Sequence, residues 1–113
     1  GNMKGRNPDD TLMNARLKAF LSLLCYSYAN ARLMNHDYTE ADKIIAVYEM
    51  ADPQNHEPNY MRAMILASRL ENAAALTQLK VAVSKGFVDK NRLMQQPEFE
   101  PLKQSPEWFD LMK

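Results

Sequence analysis

The longest apolar pattern of the chain lies between residues 12 and 31, where apolar side chains recur every three or four residues, as along one face of an α-helix. Further apolar residues widen this face until it nearly encircles the helix: Leu23, Cys25, Tyr26 and Ala29. A helix that is apolar on most sides is expected to be covered on most sides. With Asp9 or Asp10 as its cap, the helix is predicted to span about 24 residues, so its first turns should project beyond the next helix.

A second helix is predicted after Asn35-His36-Asp37, where the apolar pattern breaks. Asp37 and Glu40 have the spacing of a capping pair, in which each side chain accepts a hydrogen bond from a backbone N–H of the first helical turn. Asp52-Pro53 should end this helix, because proline cannot continue it. The two helices therefore form a predicted hairpin.

A third helix is predicted from Glu57-Pro58, since proline is tolerated in the first turn of a helix. A very short turn at Glu71-Asn72 leads to a fourth helix rich in alanine, so these two helices should be antiparallel and closely packed. Gly86 is placed where helices commonly end in a left-handed residue, and Phe87 is expected to fold back onto Ala82.

The C-terminal residues contain a shorter repeated pattern, in which proline, glutamate and an aromatic residue are followed by leucine. It occurs as Pro97-Glu98-Phe99 with Leu102, and as Pro106-Glu107-Trp108 with Leu111. Proline and glutamate both favour the first turn of a helix. Three brief helical segments are therefore predicted, at Val88–Met94, Phe99–Lys103 and Pro106–Met112. Their aromatic side chains should cover the exposed apolar face of the preceding helices.

The two predicted hairpins also share a sequence period of 34 residues. Tyr26, Ala29, Ala41 and Ile45 correspond at this interval to Tyr60, Ala63, Ala75 and Leu79. A period of 34 residues is typical of tandem helix-turn-helix repeats. Such a repeat cannot bury its own apolar face, so it stacks on a neighbour and presents a surface.

These positions resemble the tetratricopeptide repeat over residues 22 to 87, as two repeats. The chain departs from the family pattern at Cys25 and Asn59, which replace an aromatic residue, at Tyr48, where a small residue is usual, and at Phe87, which replaces a proline. The segment from Lys85 to Trp108 is similar to the closing segment of many bacterial tetratricopeptide proteins.

The resemblance implies an all-α fold, a right-handed α-α superhelix of two hairpins with short C-terminal capping helices. The implied organisation is a loose leader over residues 1–8, two repeats over residues 9–87, divided as 9–53 and 54–87, and a cap over residues 88–113. The leading Gly1 suggests the remnant of a cleaved tag, so the cellular compartment is left open.

In the tetratricopeptide family, the first helix of each pair lines a concave groove that binds a segment of a partner protein. The corresponding residues are Tyr26, Asn30, Leu33, Met34, Tyr60, Met64, Ala67 and Ser68. Tyrosine, methionine and asparagine suit an extended peptide. Family members that bind a C-terminal carboxylate use a cluster of lysine, arginine and asparagine. In this chain only Asn30 matches a member of that cluster, so binding of a C-terminal carboxylate is disfavoured. The alternative for Tyr26 and Tyr60 is packing, the commoner role of tyrosines at helical spacing.

Composition and charge exclude several classes of function. Lys and Arg total 14 and Asp and Glu total 14, so no net charge favours nucleic acid or an acidic membrane. No apolar run reaches the roughly 18 residues of a membrane span. Cys25, the single cysteine, lies in an apolar helix and is expected in the core.

No catalytic, cofactor or metal site is predicted. His36 and His56 both have acidic neighbours, but they lie in connections between helices, where solvated histidines are the ordinary case. The chain is therefore predicted to be a non-catalytic module that binds a protein or peptide. Two alternatives are self-association through the first helix, giving a homodimer, and a supporting role within a larger enzyme or secreted protein.

Overall fold

The computed structural model describes residues 8–113, with side chains from Met13 onward, and this part of the chain is all-α, without a strand. Four longer helices come first: α1 (Pro8–Met34), α2 (Tyr38–Ala51), α3 (Glu57–Ser68) and α4 (Asn72–Ser84). Three short segments follow: α5 (Lys90–Gln95), a 3-10 helix (Pro97–Gln104) and α6 (Pro106–Leu111). The predicted leader lies outside the described residues except for Pro8, which begins α1.

The helices pack as two antiparallel hairpins, α1 with α2 and α3 with α4. Alanines lie in the contacts between the helices, because a side chain as small as a methyl group lets two helix backbones come close together. Ala29, Ala41, Ala63, Ala75 and Ala82 are all fully buried. The small residues of the 34-residue period are thus contact points between helices.

The helix ends are set by local chemistry. The Asp37 carboxylate accepts a 3.4 Å hydrogen bond from the Glu40 backbone N–H at the start of α2, which is one half of the predicted capping pair. α2 ends at Ala51, before Pro53, and α3 begins at Glu57, before Pro58, as predicted.

Three helices end in the same kind of turn. His36, Leu70 and Gly86 each have positive φ, at 58°, 62° and 103°. After each, a backbone N–H bonds back to the last helical turn: Asp37 to Arg32, Glu71 to Leu66, and Phe87 to Ala82. His36 and Leu70 are 34 residues apart, so the repeat period of the sequence is also present in the backbone.

Two apolar clusters form the core, and α3 contributes to both of them. Met61 and Ile65 pack with α1 and α2, around Ile45 and Tyr48. Tyr60, on another face of α3, packs with α4 and the C-terminal segments. α3 is therefore the central element of the molecule.

The C-terminal segments cover the outer side of the second hairpin with aromatic rings. The Tyr60 ring lies 5.1 Å from the Phe87 ring and 5.4 Å from the Phe99 ring, measured between centroids. Phe99 in turn lies 6.2 Å from Trp108, and all four rings are buried. These distances are typical of tilted and edge-to-face aromatic pairs.

Asn59 is a buried polar residue, 2% exposed, and connects three helices. Its amide nitrogen donates to Glu49 at 3.3 Å and to Gln78 at 3.0 Å, and its amide oxygen accepts from Lys85 at 2.7 Å. Arg62 completes the network by donating to Glu49 at 2.7 Å. Asn59 is thus the centre of a polar network across α2, α3 and α4.

α1 is almost twice as long as its neighbour, with 27 residues against 14 in α2. At 1.5 Å per residue, α1 spans about 40 Å and α2 about 21 Å. The N-terminal half of α1 therefore projects beyond α2, as predicted. The expectation that α1 is covered on most sides is wrong for the described chain, because Leu17, Phe20 and Leu23 are all more than half exposed.

Candidate functional site

A concave surface lies where α1, α3 and the C-terminal segments meet, and encloses a volume of about 190 Å³. We call it the α1–α3 groove. Its lining residues are Asn30, Leu33, Met34, His36, Met61, Met64, Arg92, Gln96 and Glu98.

The inner part of the groove is apolar. Leu33 and Met61 are buried, Met64 is half-buried, and Met34 is mostly exposed at the rim. Methionine side chains are unbranched and polarisable, so they adapt to partners of different shape. The Asn30 amide, also at the rim, makes one long contact, 3.9 Å to the Met34 sulfur. This amide remains available for a bound backbone.

Arg92 forms one wall of the groove and is held from two directions. Its guanidinium carbon lies 4.0 Å from the centre of the Tyr60 ring, and its Nη1 donates to a Glu57 carboxylate oxygen at 2.6 Å. Burial alone would lower the pKa of Arg92, but the hydrogen bond and the charge of Glu57 outweigh it and raise the pKa. The guanidinium is thus fixed in place, with its charge paired.

Gln96 and Glu98 form the rest of this wall. The Tyr60 hydroxyl lies 3.0 Å from Gln96 Oε1 and 3.3 Å from the Arg92 backbone oxygen. Gln96 Nε2 donates to Glu98 at 2.7 Å. Burial raises the pKa of Tyr60, so its hydroxyl is a neutral donor at physiological pH. Tyr60 supports the wall from behind.

Four of the eight sequence-predicted site residues line this groove: Asn30, Leu33, Met34 and Met64. The other four lie elsewhere. Tyr60 and Ala67 are buried, and Tyr26 is half-buried against the cluster of α1 and α2. The exposed Ser68 donates its hydroxyl hydrogen to the Ile65 carbonyl oxygen at 2.6 Å. For Tyr60, packing is the role that the structure gives.

Five residues that line the groove are not among those predicted from the sequence: His36, Met61, Arg92, Gln96 and Glu98. Three of these belong to the C-terminal segments, which lie outside the 34-residue repeat. Arg92 and Gln96 are four residues apart, a spacing that can put both on one side of a helix. That spacing is the one feature of the sequence that indicates a shared surface for Arg92 and Gln96.

A larger cavity, of about 420 Å³, lies between α4, α5 and α6. Its walls are apolar at Val83, Phe87 and Leu93. Two polar groups at its edge are paired within the chain, since Lys90 donates to the Met112 carbonyl oxygen at 3.2 Å and Lys113 lies 3.4 Å from Asp110. We favour the α1–α3 groove because four of the residues predicted from the sequence line it.

Among the side chains that the structure describes, from Met13 to Lys113, no three of His, Cys, Asp or Glu are grouped as metal ligands. Burial raises the pKa of the Cys25 thiol, which favours the neutral form over the reactive thiolate. In the same part of the chain, no helix combines the length and the apolar character that crossing a membrane requires.

Comparison with known proteins found no family model, curated protein or solved structure that matches this chain. The resemblance to tetratricopeptide repeats therefore stays a prediction, and the geometry of the groove carries the function proposed below.

Proposed function

We propose that the chain is a non-catalytic protein-interaction module, in which the α1–α3 groove binds one apolar side chain of a peptide or helix from a partner protein. In this proposal the two hairpins are tetratricopeptide-like repeats arranged as the start of a right-handed superhelix. The observation that carries it is an adaptable apolar groove beside a polar wall that is fixed by internal hydrogen bonds.

The size of the groove supports a side chain rather than a complete small molecule as the bound group. Its volume of about 190 Å³ is below the roughly 300–1,000 Å³ of ordinary small-molecule sites. One large aliphatic or aromatic side chain is the natural occupant of a recess of this size between methionines. The rest of the partner would lie along the exposed rim.

The charges around the groove disfavour an anionic anchor. Arg92 is already paired with Glu57 at 2.6 Å, and Glu98 is itself a carboxylate. An anionic side chain would lose water without gaining an unpaired positive charge, which is unfavourable. The Asn30 amide can instead donate to a backbone carbonyl oxygen of the partner and accept from a backbone N–H.

The test is a selection of peptides from a random display library, followed by NMR of the protein with labelled methionine methyl groups. We expect a selected peptide with an apolar anchor to shift the methyl signals of Met34, Met61 and Met64. Met50, which is 83% exposed on α2 and outside the groove, serves as the internal control. Shifts confined to Met50 would contradict the proposal.

Variants at the rim make the test specific. Asn30→Ala and Met34→Ala alter exposed side chains, so they should leave the fold intact and weaken peptide binding by about fivefold to tenfold each. Met50→Ala is the matched control and should bind as the wild type does. Tyr60→Ala is a poor test, because it removes a fully buried ring and would lower stability. Equal peptide binding by the wild type and the Asn30→Ala, Met34→Ala and Met50→Ala variants would overturn the proposal.

A further inference from the structure

α1 carries a second apolar stripe, on the side away from the core. Its members are Met13, Leu17, Phe20, Leu21, Leu24 and Tyr28. Leu24 is half-buried, and the other five are between 47% and 62% exposed. At 100° per residue, the stripe is centred about 130° around the helix from the buried residues Cys25, Ala29 and Leu33. Apart from the half-buried Leu24, the stripe therefore faces away from the packing of α1 on α2 and α3.

The stripe is among the larger apolar patches that monomer surfaces show. A large aromatic side chain offers about 150–250 Å² of surface, so half-exposure leaves on the order of 100 Å² for each large side chain. The five half-exposed side chains of the stripe then present about 500 Å², toward the upper end of the largest apolar patch on typical monomers. Such a patch indicates an interaction surface.

The spacing of the stripe indicates that its partner is a helix. Met13, Leu17, Phe20, Leu24, Ser27 and Ala31 alternate intervals of four and three residues, which is the pattern of a coiled-coil seam. Arg16, Lys18 and Arg32 stand outside this seam, so no charge would be buried by a helix laid along it.

We propose that the stripe pairs with the same stripe of a second copy of this chain, with the two α1 helices antiparallel. Both copies together would bury about 1,000 Å², which is about the area that a biological interface has to reach. A two-fold arrangement uses the identical surface twice, so it needs no complementary patch elsewhere on the molecule.

The order of large and small residues along the seam favours the antiparallel direction. An antiparallel pair centred near Ser22 sets Met13 opposite Ala31 of the second copy, and Leu17 opposite Ser27 of the second copy. Phe20 then meets Leu24 of the second copy. A parallel pair would instead place Phe20 on Phe20 and Ala31 on Ala31, overfilling one layer and leaving a gap in another.

Sedimentation equilibrium over a range of protein concentrations tests the dimer. The wild type should associate at micromolar concentrations. Leu17→Glu and Phe20→Glu each place two charges in the two-fold interface, so each should raise the dissociation constant about a hundredfold or more. Met50→Glu is the matched control, since it adds the same charge at an exposed apolar residue of α2, and it should associate as the wild type does.

Circular dichroism checks that the variants keep their helices, which is expected because both altered side chains are exposed on the projecting part of α1. A wild type that is monomeric at every concentration would overturn the proposal and point to a helix of another protein as the partner. Equal weakening by Met50→Glu would overturn it as well.

Disulfide formation under mild oxidation tests the direction of pairing. In the antiparallel arrangement, position 20 lies opposite position 24 of the second copy, whereas the two positions 13 lie far apart. An equimolar mixture of the Phe20→Cys and Leu24→Cys proteins should therefore give a covalent heterodimer, and Met13→Cys should give no covalent dimer. The native Cys25 is 8% exposed and so contributes little background. A covalent dimer from Met13→Cys alone would overturn the antiparallel arrangement.

Discussion

At the scale of single residues, the left-handed turns at His36 and Leu70 are unusual because neither residue is glycine. For an ordinary L-residue the left-handed conformation costs roughly 1–2 kcal/mol. Gly86 adopts the same kind of turn without that cost. The turns at His36 and Leu70 are therefore positions where the helix ends are imposed by the packing of the hairpins.

Leu70→Gly should stabilise the protein, because glycine relieves the strain and the lost leucine side chain is 73% exposed. We expect the free energy of unfolding to rise by about 0.5–1 kcal/mol, after allowance for the extra freedom of glycine in the unfolded chain. Urea unfolding measures it. Leu70→Ala is the control, since it removes the same side chain but keeps the strain. If Leu70→Gly and Leu70→Ala had the same free energy of unfolding, backbone strain at Leu70 would be refuted.

Individual residues differ in how far the sequence predicts their roles. The alanines of the 34-residue period and the end of α4 at Gly86 could be predicted, because close helix contacts and left-handed turns restrict residue type locally. The strained turn at Leu70 could not, because leucine does not favour the left-handed conformation. The burial of Asn59 could not either, because it depends on residues distant in sequence, Gln78 and Lys85, whose approach exists only in the folded chain.

At the scale of helices, the polar network around Asn59 holds α2, α3 and α4 together. The pKa of Glu49 is lowered from its ordinary value of 4.5, mainly by the hydrogen bond from Arg62, against the opposing effect of burial. A lowered pKa in the folded protein means that the folded state binds the proton less well than the unfolded chain. The stabilisation is complete above the ordinary pKa and is lost as the pH falls through the lowered one.

Glu49→Gln should therefore cost about 1 kcal/mol of unfolding free energy at pH 7 and progressively less below about pH 4.5. Urea unfolding at several pH values gives the profile. Glu100→Gln is the control, because Glu100 is 70% exposed and pairs with Lys103 one turn away. Its profile should follow that of the wild type. If the difference in unfolding free energy between Glu49→Gln and the wild type were the same at all pH values, the ionised Glu49 carboxylate would not be the source of this stability.

At the scale of the whole molecule, α3 joins the two apolar clusters into one structure. Ile65 belongs to the cluster with α1 and α2, whereas Tyr60 belongs to the cluster with α4 and the C-terminal segments. If α3 separated from either cluster, its apolar residues in that cluster would be exposed to water. The whole described structure should therefore unfold in one cooperative step.

Trp108 provides the test, because it is the single tryptophan and belongs to a different apolar cluster from Ile65. Tryptophan fluorescence and circular dichroism should report the same urea midpoint. Ile65→Ala removes a buried side chain and should cost about 2–5 kcal/mol, shifting both midpoints together. A fluorescence midpoint that stays in place while the dichroism midpoint falls would show two independent units.

The candidate site could be predicted in part from the sequence. The side of the groove on α1 and α3 follows from the repeat, because a 34-residue period repeats the faces of the helices. The opposite wall lies on α5 and the 3-10 helix, whose position depends on contacts such as that between the Tyr60 hydroxyl and Gln96. No periodic pattern in the sequence encodes that contact.

The wall formed by Arg92, Gln96 and Glu98 has a consequence for how this protein could change in evolution. The same segments cover the outer side of the second hairpin, where any third hairpin would have to stack. Inserting another repeat after Gly86 would move these segments away from α1 and dismantle the groove. Substitutions within the groove can therefore change what it binds, whereas a further hairpin before the wall would remove it.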